Sequence, residues 1–220
     1  MEFTPILKFL KDLAKHNDRD WFEKNKSRYV EAREYFEQAV GTLLNDMIKF
    51  DASLAGLEPK KLIFRIYRDV RFSKDKKPYK NNFGAGFSAS GKGLGMPGYY
   101  FQVQPGGESF VAIGFFQPEP EILARVRQEI DYNAAALEKI FRDKKFKANF
   151  EKFWEEGALK NAPKGYPKDH PHADWLRLKS FIVIRNFSDA EVADKKFLKQ
   201  VADTLKSGKP LNDFLKEALA

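Results

Sequence analysis

The chain has 220 residues, with 39 Lys and Arg against 31 Asp and Glu, a formal charge of +8, and no cysteine. That length is enough to bury roughly 70% of the surface an unfolded chain exposes. The missing cysteine excludes disulfides, thiolate nucleophiles and Cys-based zinc sites. No segment approaches the ~20 apolar residues of a membrane helix. The N-terminus lacks the basic start and apolar core of a secretion signal, so a cytoplasmic setting is expected.

Pro5 to His16 predicts a helix, with Ile6, Phe9, Leu10 and Leu13 on one face, Thr4 as N-cap and Pro5 in the first turn. Asp18 is placed to cap a second helix opening with Trp21 and Phe22. Ser27 to Phe50 carries the strongest helical pattern. Tyr29, Ala32, Phe36, Val40, Leu43, Met47 and Phe50 step by three or four residues, the core stripe of an amphipathic helix.

Leu62 to Tyr67 reads as a strand, with Phe64 and Ile66 on one face and Arg65 and Tyr67 on the other. Asn82 to Ser90, NFGAGFSAS, alternates Phe and Ala against Gly and Ser. Small residues along a whole strand face predict close approach by another backbone or by a ligand. The glycine-rich stretch Gly91 to Gly98 sits between two strand patterns rather than ahead of a helix. It is read as a strand connection, not a phosphate loop. Tyr99 to Gln104 and Phe110 to Phe116 predict a hairpin.

Helices are expected over Glu121–Tyr132, Asn133–Phe141 and Lys144–Trp154, followed by a Pro-rich loop over Asn161–Trp175. Phe181 to Phe187 reads as a strand. Closing helices are expected over Ala190–Lys206 and Leu211–Leu219. The order predicts one α+β domain over 1–220, with a largely antiparallel sheet from the middle of the chain packed against N- and C-terminal helices.

Charge is distributed unevenly. Lys60 to Lys80 holds nine Lys and Arg against two Asp, leaving a balance of +1 for all the rest. Phe64, Tyr67, Phe72 and Tyr79 are threaded through it. Arginine suits bidentate grip of phosphate or carboxylate, and lysine supplies a point charge. Asp69 is the candidate general base of this run, with Tyr67 second, although Asp69 also suits orienting its arginine neighbours. Asp169, His170, His172 and Asp174 are metal-ligating types, but Pro171 separates the two histidines and no third strong ligand lies at helical spacing, so no metal is expected. No nucleophile elbow and no His-Glu-x-x-His pattern occurs.

The string Phe64-Arg65-Ile66-Tyr67-Arg68-Asp69-Val70-Arg71-Phe72-Ser73, continuing through Lys74 and Pro78-Tyr79-Lys80, resembles the signature of the domain of unknown function 2461 family. Similar matches occur at Asn17, Trp21, Phe22, Asn25, Arg28 and Tyr29, at Gly98-Tyr99-Tyr100, and at Leu159-Lys160, Pro163-Lys164-Gly165-Tyr166 and His170-Pro171. The resemblance implies a soluble α+β protein and no particular reaction or cofactor. It suggests that Arg65, Tyr67, Arg68, Asp69, Arg71, Lys74, Pro78, Tyr79 and Lys80 belong with Lys160, Lys164, Tyr166 and His170. If they line one cleft, the site is cationic and aromatic.

The expected function is therefore anion binding, of a phosphorylated small molecule or a nucleic-acid backbone. Two alternatives stand beside it. One is an enzyme on a phosphate- or carboxylate-bearing substrate, with Asp69 as base and Tyr67 or His170 assisting. The other is an interaction module for an acidic protein.

Overall fold

The computed structural model describes residues 1–93 and 95–219. Three helices open the chain: α1 (Thr4–Lys15), α2 (Arg19–Lys24) and α3 (Lys26–Ile48). In α1, Ile6, Leu7, Phe9, Leu10 and Leu13 are buried, as their spacing requires. The Asp18 carboxylate accepts from Trp21 N at 2.8 Å and caps α2. In α3 the stripe Ala32, Phe36, Val40, Leu43 and Met47 is buried.

A short helical turn α4 (Pro59–Leu62) leads into an extended segment and then the strands β1 (Phe83–Phe87), β2 (Gly98–Val103) and β3 (Ser109–Phe115). Next come α5 (Pro120–Tyr132), α6 (Ala134–Arg142), α7 (Lys144–Lys147) and α8 (Ala173–Leu176). The chain closes with β4 (Phe181–Phe187), α9 (Asp189–Ala193), α10 (Phe197–Ser207) and α11 (Lys209–Glu217). The four strands form one sheet in the order β1-β2-β3-β4, antiparallel throughout. The fold is α+β.

Register decides which side chains share a face, because alternate residues point to opposite sides. On one face lie Phe83, Ala85 and Phe87, then Tyr99, Phe101 and Val103, then Val111 and Ile113, then Val183 and Phe187. All are buried. The helices pack here: Phe36 of α3 stacks on Phe83 and Phe101 at 5.5 and 5.6 Å, and Phe197 of α10 meets Phe187 edge-on at 5.3 Å. On the opposite face stand Gly84 and Gly86, then Tyr100 and Gln102, then Phe110 and Ala112, then Ile184 and Asn186.

Several boundaries differ from the sequence reading. Leu62 to Tyr67 is not a strand. It makes single bridges, Ile63 to Ala85 and Tyr67 to Tyr79. Its buried positions are Leu62, Ile63 and Ile66, whereas a strand of the sheet with one buried face needs a period of two. Ile66 is buried and Arg65 and Tyr67 are outside, as expected, but Phe64 is only half-buried.

The helix expected over Lys144–Trp154 stops at Lys147. Trp154 instead donates its backbone N–H to Ile182 O of β4 at 2.8 Å. The helix expected over Ala190–Lys206 is two helices, broken at Asp194, whose backbone is extended. Phe3, not Thr4, holds the cap position of α1, with no side-chain bond. The Pro-rich loop contains the helical turn α8. The glycine-rich stretch does connect β1 to β2, through a Ser88–Gly91 bridge, although Leu94 lies outside the described residues.

Candidate functional site

The basic run doubles back on itself beside the β1 edge. Phe64 N donates to Gly84 O at 2.9 Å, Arg68 N to Pro78 O at 2.9 Å, and Lys80 N to Ile66 O at 2.8 Å. Asn17 pins the return leg. Its amide donates to Tyr79 O at 2.9 Å, and its carbonyl oxygen accepts from Tyr79 N at 3.1 Å. The Tyr79 ring is buried and stacked on Phe22, centroids 4.0 Å apart. That ring is part of the core.

Much of the run's charge is spent internally. Arg68 bonds Asp75 Oδ2 at 2.6 Å and Lys77 O at 3.2 Å, stapling the loop. Arg71 forks onto Asp69, with Nη2 to Oδ2 at 2.7 Å and Nε to Oδ1 at 3.0 Å. This contact, reinforced by the Arg71 backbone N–H, holds the Asp69 carboxyl below its ordinary range. A carboxylate so engaged is a weak proton acceptor. The arrangement matches the orienting role and disfavours Asp69 as a base. Lys74 is exposed at the loop surface, and Phe72 is 96% exposed.

The second polar string makes its contacts with α5. Lys160 and Lys164 are exposed. His170 Nδ1 accepts from His172 N at 3.0 Å, so the ring proton resides on Nε2 and is donated to Asp131 Oδ1 of α5 at 2.9 Å. Tyr166 meets His170 edge-on, and burial, then Asp131, pushes its phenol up. These contacts hold the loop to α5. Among the described residues, no hydrogen bond, ion pair or ring contact joins this loop to Lys60–Lys80. No cluster of three or more potential metal ligands occurs among the described residues either.

The open sheet face carries a cleft of about 710 Å³. Its floor is Gly98, Ala112 and Gly114 with Ile182 and Ile184 beside them. Its walls are aromatic: Phe64, Tyr100 and Phe110 on one side, Phe116 and Trp154 on the other. The small-residue face read from NFGAGFSAS is approached by the protein itself at its β1 end. A β-carbon on Gly86 would lie 3.3 Å from Lys92 O and 3.4 Å from the Phe64 ring, and one on Gly84 would strike the Tyr100 hydroxyl. Free floor remains farther in, over β2 and β3.

Polar groups lining the cleft are few. The Tyr100 hydroxyl donates to Gln102 Oε1 at 2.9 Å, and burial pushes its phenol up to about 12. The Ser88 hydroxyl is spent on Gly91 O at 2.8 Å. The ammoniums of Lys80 and Lys92 each lie 5.7 Å from the Phe64 ring centroid, in cation–π range. Lys92 also donates to Ile63 O at 3.1 Å. Neither lysine has an acidic partner among the described residues. Loss of water, then the nearby Arg65 charge, holds the Lys80 amine below its ordinary value.

Lys92, Phe116 and Trp154 did not figure in the sequence reading of the site. The signal for Lys92 was its place among glycines beside a small-residue strand. Trp154 has no local signal, because its position depends on the β4 contact.

No helix among the described residues is long and apolar enough to cross a membrane. The model of a family described as conserved hypothetical protein (DUF2461) matches residues 5–214, nearly the whole chain. No curated protein and no solved structure matches.

Proposed function

The chain belongs to the DUF2461 family of conserved hypothetical proteins, and we propose that it binds a small anionic molecule, with the apolar body in the sheet-face cleft and the anionic group, such as a phosphate, at Lys92 and Lys80. One observation carries this reading: an apolar-floored cleft of about 710 Å³ lined by Lys92 and by the Phe64 ring, over which Lys80 also lies, neither lysine having an acidic partner among the described residues. Small-molecule sites are typically concave, mostly apolar and a few hundred to ~1,000 Å³, with a few polar groups that fix orientation. An anion beside a half-buried lysine with a depressed pKa favours its charged form and makes up for lost water. The setting proposed is cytoplasmic, as the sequence suggested. Arg65, which forms no ion pair among the described residues, adds to the positive field at Lys80.

The test is calorimetric titration with aryl and alkyl phosphates and carboxylates. Binding at one site per chain is expected. It should weaken about tenfold, ~1.4 kcal/mol, in Lys92→Gln, and be lost in Ala112→Leu, which fills the floor. Unaltered binding in Ala112→Leu, or no binding by any member of the panel, refutes the proposal.

A further inference from the structure

Resting on the cleft reading above, we infer that the apolar body of the ligand is a planar ring system laid flat on the backbone of β2 and β3, rather than a flexible chain. Three observations carry it. The floor positions Gly98 and Gly114 face each other across the strand pair and have no side chains. Their neighbour Ala112 has only a methyl group. Inward positions recur about 7 Å apart along a strand, and strands lie about 4.8 Å apart. The bare patch therefore has the footprint of one or two fused rings.

The flatness is built in. Gly114 has φ +127°, and a β-carbon there would collide with the Phe181 backbone. One on Gly98 would collide with the backbone of Phe87. Close strand approach thus keeps both positions bare.

The walls match a ring as well. Phe64 and Tyr100 are 6.0 Å apart, Tyr100 and Phe110 5.4 Å, and Phe116 and Trp154 5.9 Å, each pair inclined by 40–56°. These five side chains line the cleft and give a ring on the floor aromatic neighbours, whose quadrupoles favour offset or edge-to-face contact. A flexible chain gains nothing from that geometry and loses rotamer entropy on binding. The positive rim at Lys92 selects a ligand whose ring carries an anion.

The test compares 1-naphthyl phosphate with octyl phosphate, which share a head group, following Trp fluorescence and calorimetry. The expected result is at least tenfold tighter binding of the naphthyl compound, lost in Ala112→Leu. In Trp154→Ala, whose side chain lies outside the sheet, the naphthyl preference should shrink at least threefold while a cooperative melt is retained. Equal or tighter binding of octyl phosphate, still sensitive to Ala112→Leu, overturns the ring and leaves the cleft reading standing. Failure of both compounds to bind, or indifference of both to Ala112→Leu, overturns the two together. So does a sedimenting dimer that Ile184→Glu dissociates, since a second copy would then cover the face.

Discussion

The side chain of Tyr100 occupies the space a β-carbon on Gly84 would need. The two residues sit on adjacent strands, two pairs out of direct register, and the phenol leans across to donate to Gln102, which faces Gly84. The absent side chain at Gly84 lets the aromatic wall of the cleft stand where it does.

Gly84→Ala should therefore cost about 1–3 kcal/mol, the usual penalty of overpacking. Chemical denaturation measures it. The penalty should vanish in a Tyr100→Ala background, because the two positions share one volume. A full penalty in that background would mean that the backbone of β1, not Tyr100, rejects the methyl group.

The buried phenol of Tyr100 makes a pH prediction. Its folded value is raised from 10 to about 12, so the folded state keeps the proton longer than the unfolded chain. The associated stability is fully present below pH 10 and is lost as pH climbs from 10 to about 12. Tyr100→Phe should show a shallower loss over that window. At pH 7 the variant should be about 0.5–1.5 kcal/mol less stable, for the hydrogen bond to Gln102. Parallel alkaline curves for the two proteins would contradict the assignment.

Lys80 has the opposite sign. Its folded value is depressed, so the folded state binds fewer protons, and stability rises as pH climbs through that value toward the ordinary one. Lys80→Met should leave stability at pH 7 within about 0.5 kcal/mol of the parent or raise it. It should weaken binding of an aryl phosphate. NMR titration of the lysine side chains should find one amine below the ordinary value, returning upward when the ligand is bound. An amine that does not move on binding would place the anion elsewhere.

At the far end of the core, Asp51 is 4% exposed and accepts from the Tyr99 hydroxyl at 2.9 Å, with the Lys216 ammonium at 3.3 Å. Burial pushes its carboxyl up, but the bonds from Ser53 and Tyr99 and the Lys216 charge outweigh it and hold the group below 3.8. Asp51→Ala should cost about 1–3 kcal/mol at pH 7, because it strands a buried donor. The depressed value means this contribution is present above the ordinary carboxylate range and fades as pH falls through the folded value. The gap between parent and variant should close in acid. Melts from pH 7 to 3 read it directly.

Local chemistry made much of this protein legible. The stripe of α3, the Asp18 cap, and the strands and turn of β2 and β3 all follow from spacing or turn residues a few positions apart. The period of an apolar pattern is a local property, and burial enforces it. The basic run stood out by composition, and an Asp69 that orients a neighbouring arginine was legible because only two positions separate it from Arg71.

Other features needed the fold. β4 lies far from β3 in sequence, so its pairing, and with it the far half of the cleft floor, is a non-local contact. Tyr79 is an aromatic residue in a charged run and reads as ligand-facing, yet Asn17 and Phe22 draw it into the core. Arg68 and Arg71 look available until the loop closes and brings Asp75 and Asp69 to them. The sequence by itself determined that one face of β1 must be bare, since only glycine and serine stand there. Tertiary structure alone decided what covers that bareness and what stays open beside it. Lys92 and Phe64 fold over Gly86, Trp154 is drawn in by β4, and the helices pack on the other face, so the cleft stays open over β2 and β3. Side-chain size is written residue by residue, whereas solvent access depends on which distant surfaces meet.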